Sequence, residues 1–354
     1  MLDHLHVCIM AGGSGERFWP LSRATRPKHL LKLLSQRTLL EETVKRVEGM
    51  IPYERIFVVT NQSQLPVIQE ELPLLDPQQI VAEPVRRDTA PAAALATALA
   101  LRNDPEAIVA ILASDAWIQN ESVFQKQLRD AAEIAAQTGA LTTIAIPPTY
   151  AATGYGYLRK GKSLGKGTWG SERFEVAEFV EKPNLPMADK YFKSGQYFWN
   201  AGIFVWKARH FLTEAEILFP ELGEFILKAT ATEDLDQFLK DNFEKLPKIS
   251  VDYGIMEKAP SVVAIEAQFD WDDVGSWTAL PRHFKADEQH NTIIGKGTMV
   301  DASNNIVFSN NRVVALCGVK DLVVVETEDA ILVCHRDAVE SIKKLQPSLS
   351  PELR

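Results

Sequence analysis

The sequence predicts an α/β fold: a mostly parallel, mixed sheet flanked by helices, followed by a small β-rich piece at the carboxyl end. Three observations predict it. Short β-branched apolar runs alternate with helix-period segments through the first half of the 354 residues. A glycine-rich loop follows the first of those runs, where open α/β sheets place their ligands. From Asn291 onward the texture changes to short β-prone pieces separated by Asn, Asp and Gly.

In chain order, His6 to Met10 reads as a buried first strand. Ile56 to Thr60, Ile80 to Ala82, Ile108 to Leu112 and Leu141 to Ile146 have the short apolar character of strands covered on both faces. Helices are expected between them at Thr38 to Val47, Ala90 to Leu101 and Glu121 to Thr138. The last carries Phe124, Leu128, Ala131, Ile134 and Ala135 on one face. After Pro147-Pro148, the Gly154 to Tyr157 turn, the glycine-rich stretch Gly161 to Gly170 and the run Phe174 to Val180 read as a hairpin excursion from the main sheet. Further helices are expected at Met187 to Ser194, Ala208 to Leu218 and Leu235 to Phe243. Beyond a boundary near residue 287, giving domains 1–287 and 288–354, strands are expected at Thr298 to Val300, Asn305 to Phe308, Val313 to Leu316, Leu322 to Glu326 and Ala330 to His335. A final helix, Asp337 to Leu345, is expected to stop before Pro347.

Bulk properties narrow the function. A net charge of −9 argues against nucleic-acid binding, which needs clustered positive surface, so any basic site is local. No apolar run approaches the ~20 residues of a membrane span, and no secretory signal is visible in Met1 to His6, so a soluble protein is expected. Cys8, Cys317 and Cys334 lie in strand-like contexts without metal-ligand spacing, as reduced thiols of a cytoplasmic protein would.

The loop Ala11 to Pro20 brings Gly12, Gly13, Ser14 and Gly15 together, with Arg17 close behind and Lys28 further on. Glycines let backbone N–H groups turn inward around an anion, and the two cations add charge. A P-loop would end in Gly-Lys-Ser/Thr, but Gly15 is followed by Glu16-Arg17. The dinucleotide fingerprint needs glycine three residues after Gly15, and that residue is Phe18.

G-G-S-G-E-R-x-x-P-L-S-R followed by R-P-K resembles the signature of the sugar-phosphate nucleotidyltransferases, in particular the branch that joins GTP to mannose 1-phosphate. Four further segments match in the same order: Glu83-Pro84 with Arg87 to Ala92, Phe179 to Pro183, Trp199 to Phe204, and Trp271 to Trp277. The resemblance implies a Rossmann-like nucleotidyltransferase domain and a small left-handed β-helix-like domain that supports self-association as a homodimer. It further implies GDP-mannose and pyrophosphate as products, Mg²⁺ as cofactor, and no nucleic-acid or membrane partner. Longer bacterial relatives carry an added isomerase domain, which this chain is expected to lack.

The nucleophile of such a reaction is a phosphate oxygen already ionised at neutral pH, so no general base is required. The site must instead neutralise charge and align the reactants. By resemblance, Arg17 and Lys28 take the triphosphate and the transition-state charge. The resemblance implies that Asp115, after the strand-like Ile108 to Ser114, and Asp273, read as a second carboxylate at a strand end, hold Mg²⁺ through hard oxygens. Asp115 also reads as a cap for the following turn, and Asp270 and Asp272 compete with Asp273. The family commonly has His after the first aspartate, where this chain has Ala116.

Lys182 is expected on the sugar phosphate. Gly156, Glu181 and Asn200 are expected on the sugar, with the aromatic set Tyr197, Phe198, Trp199 and Phe204 mostly core. Guanine presents N1–H and its 2-amino group side by side, and one carboxylate accepts from both, worth about 1 to 3 kcal/mol of discrimination. Glu83 is the candidate, with Asp88 and Thr89 beside it; it also reads as a solvated loop acid. Two alternatives stand beside this reading: transfer to another hexose 1-phosphate or from another nucleotide, and a catalytically silent GDP-mannose-binding regulator.

Overall fold

The computed structural model describes residues 2–13 and 15–354. The chain forms two compact units. The first comprises residues 1–12, 43–114 and 118–271; the second comprises 13–42, 115–117 and 272–354.

The first unit is built on a nine-stranded sheet. Its strands are β1 (Leu5–Met10), β2 (Ile56–Asn61), β3 (Ile80–Glu83), β4 (Ile108–Ala113), β5 (Leu141–Ile146), β6 (Tyr157–Lys166), β7 (Glu172–Val180), β8 (Tyr197–Lys207) and β9 (Val262–Glu266). They lie in the order β3-β2-β1-β4-β8-β5-β9-β7-β6. The half β3-β2-β1-β4 is parallel throughout, so Met10, Asn61, Glu83 and Ala113 end their strands on one edge. The antiparallel β8 then separates β4 from β5. The stretch 154–180 is a correction: it is no excursion, because β6 pairs with β8 and β7 with β9, which makes the hairpin the continuation of the main sheet.

Helix Thr89–Asn103 is buried from Ala90 to Ala100. Its alanines leave no polar face, so the helix sits within the core cluster with Phe57, Trp206 and Phe225. Helix Glu121–Thr138 is amphipathic, capped by Asn120 through the Val123 N–H and ended by Gly139 in the left-handed region at φ 72°.

In the second unit, β10 (Thr292–Ile294), β12 (Ile306–Ser309) and β14 (Leu322–Glu326) pair in parallel, and β15 (Ile331–His335) closes the row antiparallel. β11 (Gly297–Val300) and β13 (Val314–Cys317) pair in parallel in a separate sheet. Successive strands alternating between two sheets are the coils of a β-solenoid. Buried Asn291 and Asn305 stack one coil on the next: Asn305 donates from its backbone and Nδ2 to Asn291 Oδ1 at 2.9 and 3.0 Å, and its own Oδ1 accepts from Leu322 N–H at 2.9 Å. The segment after β15 is a 3₁₀ helix, Arg336–Ser348, that continues through Pro347 where an α-helix was expected to stop. Trp277 lies at the centre of this unit, 5.2 Å from the Phe18 ring and 5.3 Å from Phe308, and donates to Trp19 O at 3.2 Å.

Candidate active site

The glycine-rich loop continues from β1. Ala11 N–H donates to Val59 O at 2.8 Å, and Thr60 Oγ1 donates to Ala11 O at 2.8 Å, which fixes where the strand ends. A Cβ on Gly12 or Gly13 would meet nothing within 4 Å, so packing does not demand glycine there. Ser14 lies outside the described residues. Gly15 is different: its φ is +61°, and a Cβ would stand 2.5 Å from the Lys28 backbone nitrogen. Only glycine lets the loop lie on Lys28. The 3₁₀ turn Glu16–Phe18 follows, with Phe18 buried.

Within the second unit, Gly15, Arg17, Lys28, Asp115, Asp273 and Lys343 line one cavity of about 340 Å³, with Glu16 and Gly275 completing its wall. Lys28 is 9% exposed; its Nζ donates to Asp115 Oδ2 at 2.9 Å and to the Asp273 carbonyl. Desolvation alone would raise the Asp115 carboxyl, but the charge and hydrogen bond of Lys28 outweigh it and hold the group below the usual range. His29, buried beside this pair, is pushed down to about 4 by desolvation, so it stays neutral and adds no competing charge. Arg17 Nε is paired with Glu340 at 2.8 Å. Ala116 is buried.

Asp273 follows no strand: β9 ends at Glu266, and only an isolated bridge between Trp117 and Asp272 precedes it. A clamped turn presents it instead. Asp272 accepts from Arg282 Nε and Nη2 at 2.7 Å each and from the Val274 N–H at 2.8 Å, and lies 2.8 Å from His283 Nε2. Val274 is held at φ +44°, a costly conformation for a β-branched residue that the clamp and its burial enforce. Asp272 is therefore committed to the turn. Asp270, in the first unit, accepts from the Gln119 and Asn120 N–H groups. Of the candidate metal acids, Asp115 and Asp273 are the two that line the cavity, where Glu16 lies beside them. Among the described residues no group of three or more His, Cys, Asp or Glu could enclose a metal. Two carboxylates that leave the remaining coordination to water and substrate phosphates suit Mg²⁺.

In the first unit, Glu83 ends β3 and is 8% exposed. Its Oε1 is buried without a hydrogen-bond partner, and desolvation pushes the carboxyl up to about 8. That is no solvated loop acid. Asp88 caps the helix Thr89–Asn103 by accepting from Thr89 N–H at 2.8 Å, with its own φ at +69°. Thr89 Oγ1 accepts from Val251 N–H at 2.9 Å.

Also in the first unit, Gly156 faces Glu181 and Asn200: a Cβ there would stand 2.5 Å from Glu181 Oε2. Lys182, at φ +46°, pairs with Glu181 Oε1 at 2.8 Å. Asn200 has a fixed amide, its Oδ1 accepting from Thr143 Oγ1 at 2.9 Å and its Nδ2 donating to Asp252 Oδ1 at 2.8 Å. Asp252 is pushed up to about 7 by desolvation and by the Glu181 charge. Glu257 accepts from Glu181 N–H at 3.1 Å. Sequence reasoning missed Asp252, Glu257 and Lys343: the first two flank the apolar, buried Gly254 to Met256, which reads as core, and Lys343 lies in a polar segment read only as a helix. Of the aromatic set, Phe198, Trp199 and Phe204 are buried.

The arrangement can neutralise and orient phosphates in the second unit, and in the first it offers buried carboxyl and amide groups to a base and a polyol. A groove of about 910 Å³ in the first unit, beside Gln79 to Ala82, has no comparable set of converging cations. No helix among the described residues is long and apolar enough to cross a membrane.

Comparison with known proteins shows the family of the chain. Residues 6–290 match the nucleotidyl transferase family, and residues 295–349 match the mannose-phosphate isomerase/GMP-like β-helix domain. The chain is 39% identical to mannose-1-phosphate guanylyltransferase RfbM of Salmonella typhimurium, covering 95% of this chain and 71% of the relative. It is 37% identical to a mannose-1-phosphate guanylyltransferase of Escherichia coli, covering 99% and 74%. A crystal structure from Thermus thermophilus, described as a mannose-1-phosphate geranyltransferase, superposes with a TM-score of 0.88 at 33% identity, covering 98% of this chain and 99% of that one.

Proposed function

The chain belongs to the nucleotidyl transferase family, in its mannose-1-phosphate guanylyltransferase branch, and on that premise we propose that it transfers GMP from GTP to α-D-mannose 1-phosphate, forming GDP-mannose and pyrophosphate. The observation that carries this is the single cavity into which Arg17, Lys28, Asp115 and Asp273 converge. A sugar phosphate attacking the α-phosphorus in line needs no base. It needs its own charge and that of the triphosphate balanced by groups already fixed in place.

Lys28 is pre-oriented by Asp115 and the Asp273 carbonyl, and donates to the triphosphate as charge passes to the leaving pyrophosphate. Arg17 adds the second cation, and the backbone N–H groups of the loop glycines Gly12, Gly13 and Gly15 cradle the phosphates. Asp115 and Asp273 would hold Mg²⁺, which when bound neutralises the triphosphate and its leaving group. Glu83 accepts from guanine N1–H and the 2-amino group, at the helix start shaped by Asp88 and Thr89. Lys182 takes the sugar phosphate, and Glu181 and Asn200 take hydroxyls where Gly156 leaves room for the ring. We read residues 1–287 as the catalytic span and 288–354 as the β-helix piece. Homodimer formation through that piece is part of the same reading, supported by the exposed Ile331 and Val333 on β15. So is a cytoplasmic location, supported by three cysteines without disulfides.

Pyrophosphate release across a panel of GTP, ATP, UTP and dTTP with mannose 1-phosphate or glucose 1-phosphate tests the assignment. GTP with mannose 1-phosphate should be turned over fastest. Preference for another nucleotide or sugar moves the chain to a different branch, and GDP-mannose binding without any release makes it a regulator.

A further inference from the structure

The N-terminal loop supplies two cations to the phosphate cavity, but the cavity holds a third. Lys343 lines it and comes from the carboxyl-terminal segment Arg336–Ser348. That segment is seated by Val339 and Ile342, 3% and 2% exposed, in the core of the second unit with Phe18, Trp19 and Trp277. A 3₁₀ helix turns once every three residues, so Glu340 and Lys343 stand one above the other on the same face. Glu340 reaches Arg17 at 2.8 Å, which shows where that face points.

The cavity wall carries Glu16, Asp115 and Asp273 beside its three cations, and those cations differ in their ion pairs. Lys28 is paired with Asp115 and Arg17 with Glu340, whereas Lys343 has no ion-pair partner among the described residues. Resting on the proposed function, we infer that Lys343 is a third phosphate-binding cation, holding the β,γ end of the triphosphate and the pyrophosphate that leaves. The β-helix piece thereby contributes directly to substrate binding. A nucleoside triphosphate presents more negative charge than two pre-paired cations balance, and an ammonium on a long flexible stem suits a group that must bind and then depart.

The test titrates magnesium pyrophosphate calorimetrically into the full-length chain and its Lys343→Ala, Lys343→Arg and Lys344→Ala variants, each first shown by circular dichroism to melt like the parent. Loss of one charge-assisted contact should weaken pyrophosphate about tenfold in Lys343→Ala. Lys343→Arg should recover most of that, and Lys344→Ala should match the parent. In turnover, Lys343→Ala should raise KM for GTP by about the same factor and leave KM for mannose 1-phosphate unchanged. Parental pyrophosphate binding in Lys343→Ala, or an equal loss in Lys344→Ala, overturns the inference. If other substrates prove correct while Lys343→Ala still weakens pyrophosphate, the function reading fails and this one stands. GTP and mannose 1-phosphate turnover indifferent to Lys343→Ala sinks this one alone.

Discussion

Glu83 shows how a single residue's setting yields a measurable property. Its carboxyl is buried, one oxygen has no partner, and desolvation raises it to about 8. Below that pH the group is protonated, yet guanine's two donors require the carboxylate. On the proposed guanine contact, GTP binding is expected to expel a proton. KM for GTP should fall as pH rises toward 8, by up to about tenfold per unit, and level off above it. Glu83→Gln should abolish that slope and bring the GTP to ITP preference toward unity. A slope retained in Glu83→Gln, or equal losses with GTP and ITP, would remove Glu83 from base recognition. The residue's position was legible because a motif follows an apolar run that ends in an acid. Its burial was not, since that depends on which side chains pack over the end of β3.

At the scale of elements, the turn carrying Asp273 matters more than any strand near it. Asp272, 11% exposed, joins Arg282, His283 and the Val274 N–H in one hydrogen-bonded clamp, and the unfavourable φ of Val274 persists because that clamp holds it. Asp272→Asn should cost about 1 to 3 kcal/mol in denaturant unfolding, the scale of a weakened buried charge-assisted network. Undiminished stability would show that the turn is held by burial of Val274 alone. The sequence exposed regular elements well: β5 and helix Glu121–Thr138 have the bounds their patterns imply. It concealed β8, whose Asn-Ala-Gly centre interrupts the apolar run, and the 3₁₀ form of Arg336–Ser348, whose composition suits an α-helix equally. Asp272 looked like a rival metal ligand because Arg282 and His283, ten and eleven residues away, carry no sign of where they fold.

For the whole molecule, charge is the organising quantity. A chain of net charge −9 gathers Arg17, Lys28 and Lys343 around one cavity with Asp115 and Asp273. The compact unit that contains this cavity is assembled from three separate stretches of chain, so no continuous reading of the sequence could delimit it. The glycine loop and the aspartates were nonetheless visible as motifs, because phosphate chemistry restricts which residue types serve. On the proposed function, fixed charge in this cavity carries the chemical step, and Lys28 is its most buried cation. Pyrophosphate release from saturating GTP and mannose 1-phosphate, compared between the parent and a folded Lys28→Ala variant, should show kcat lowered by about a hundredfold or more; an unchanged kcat would mean that Lys28 plays no part in the chemical step.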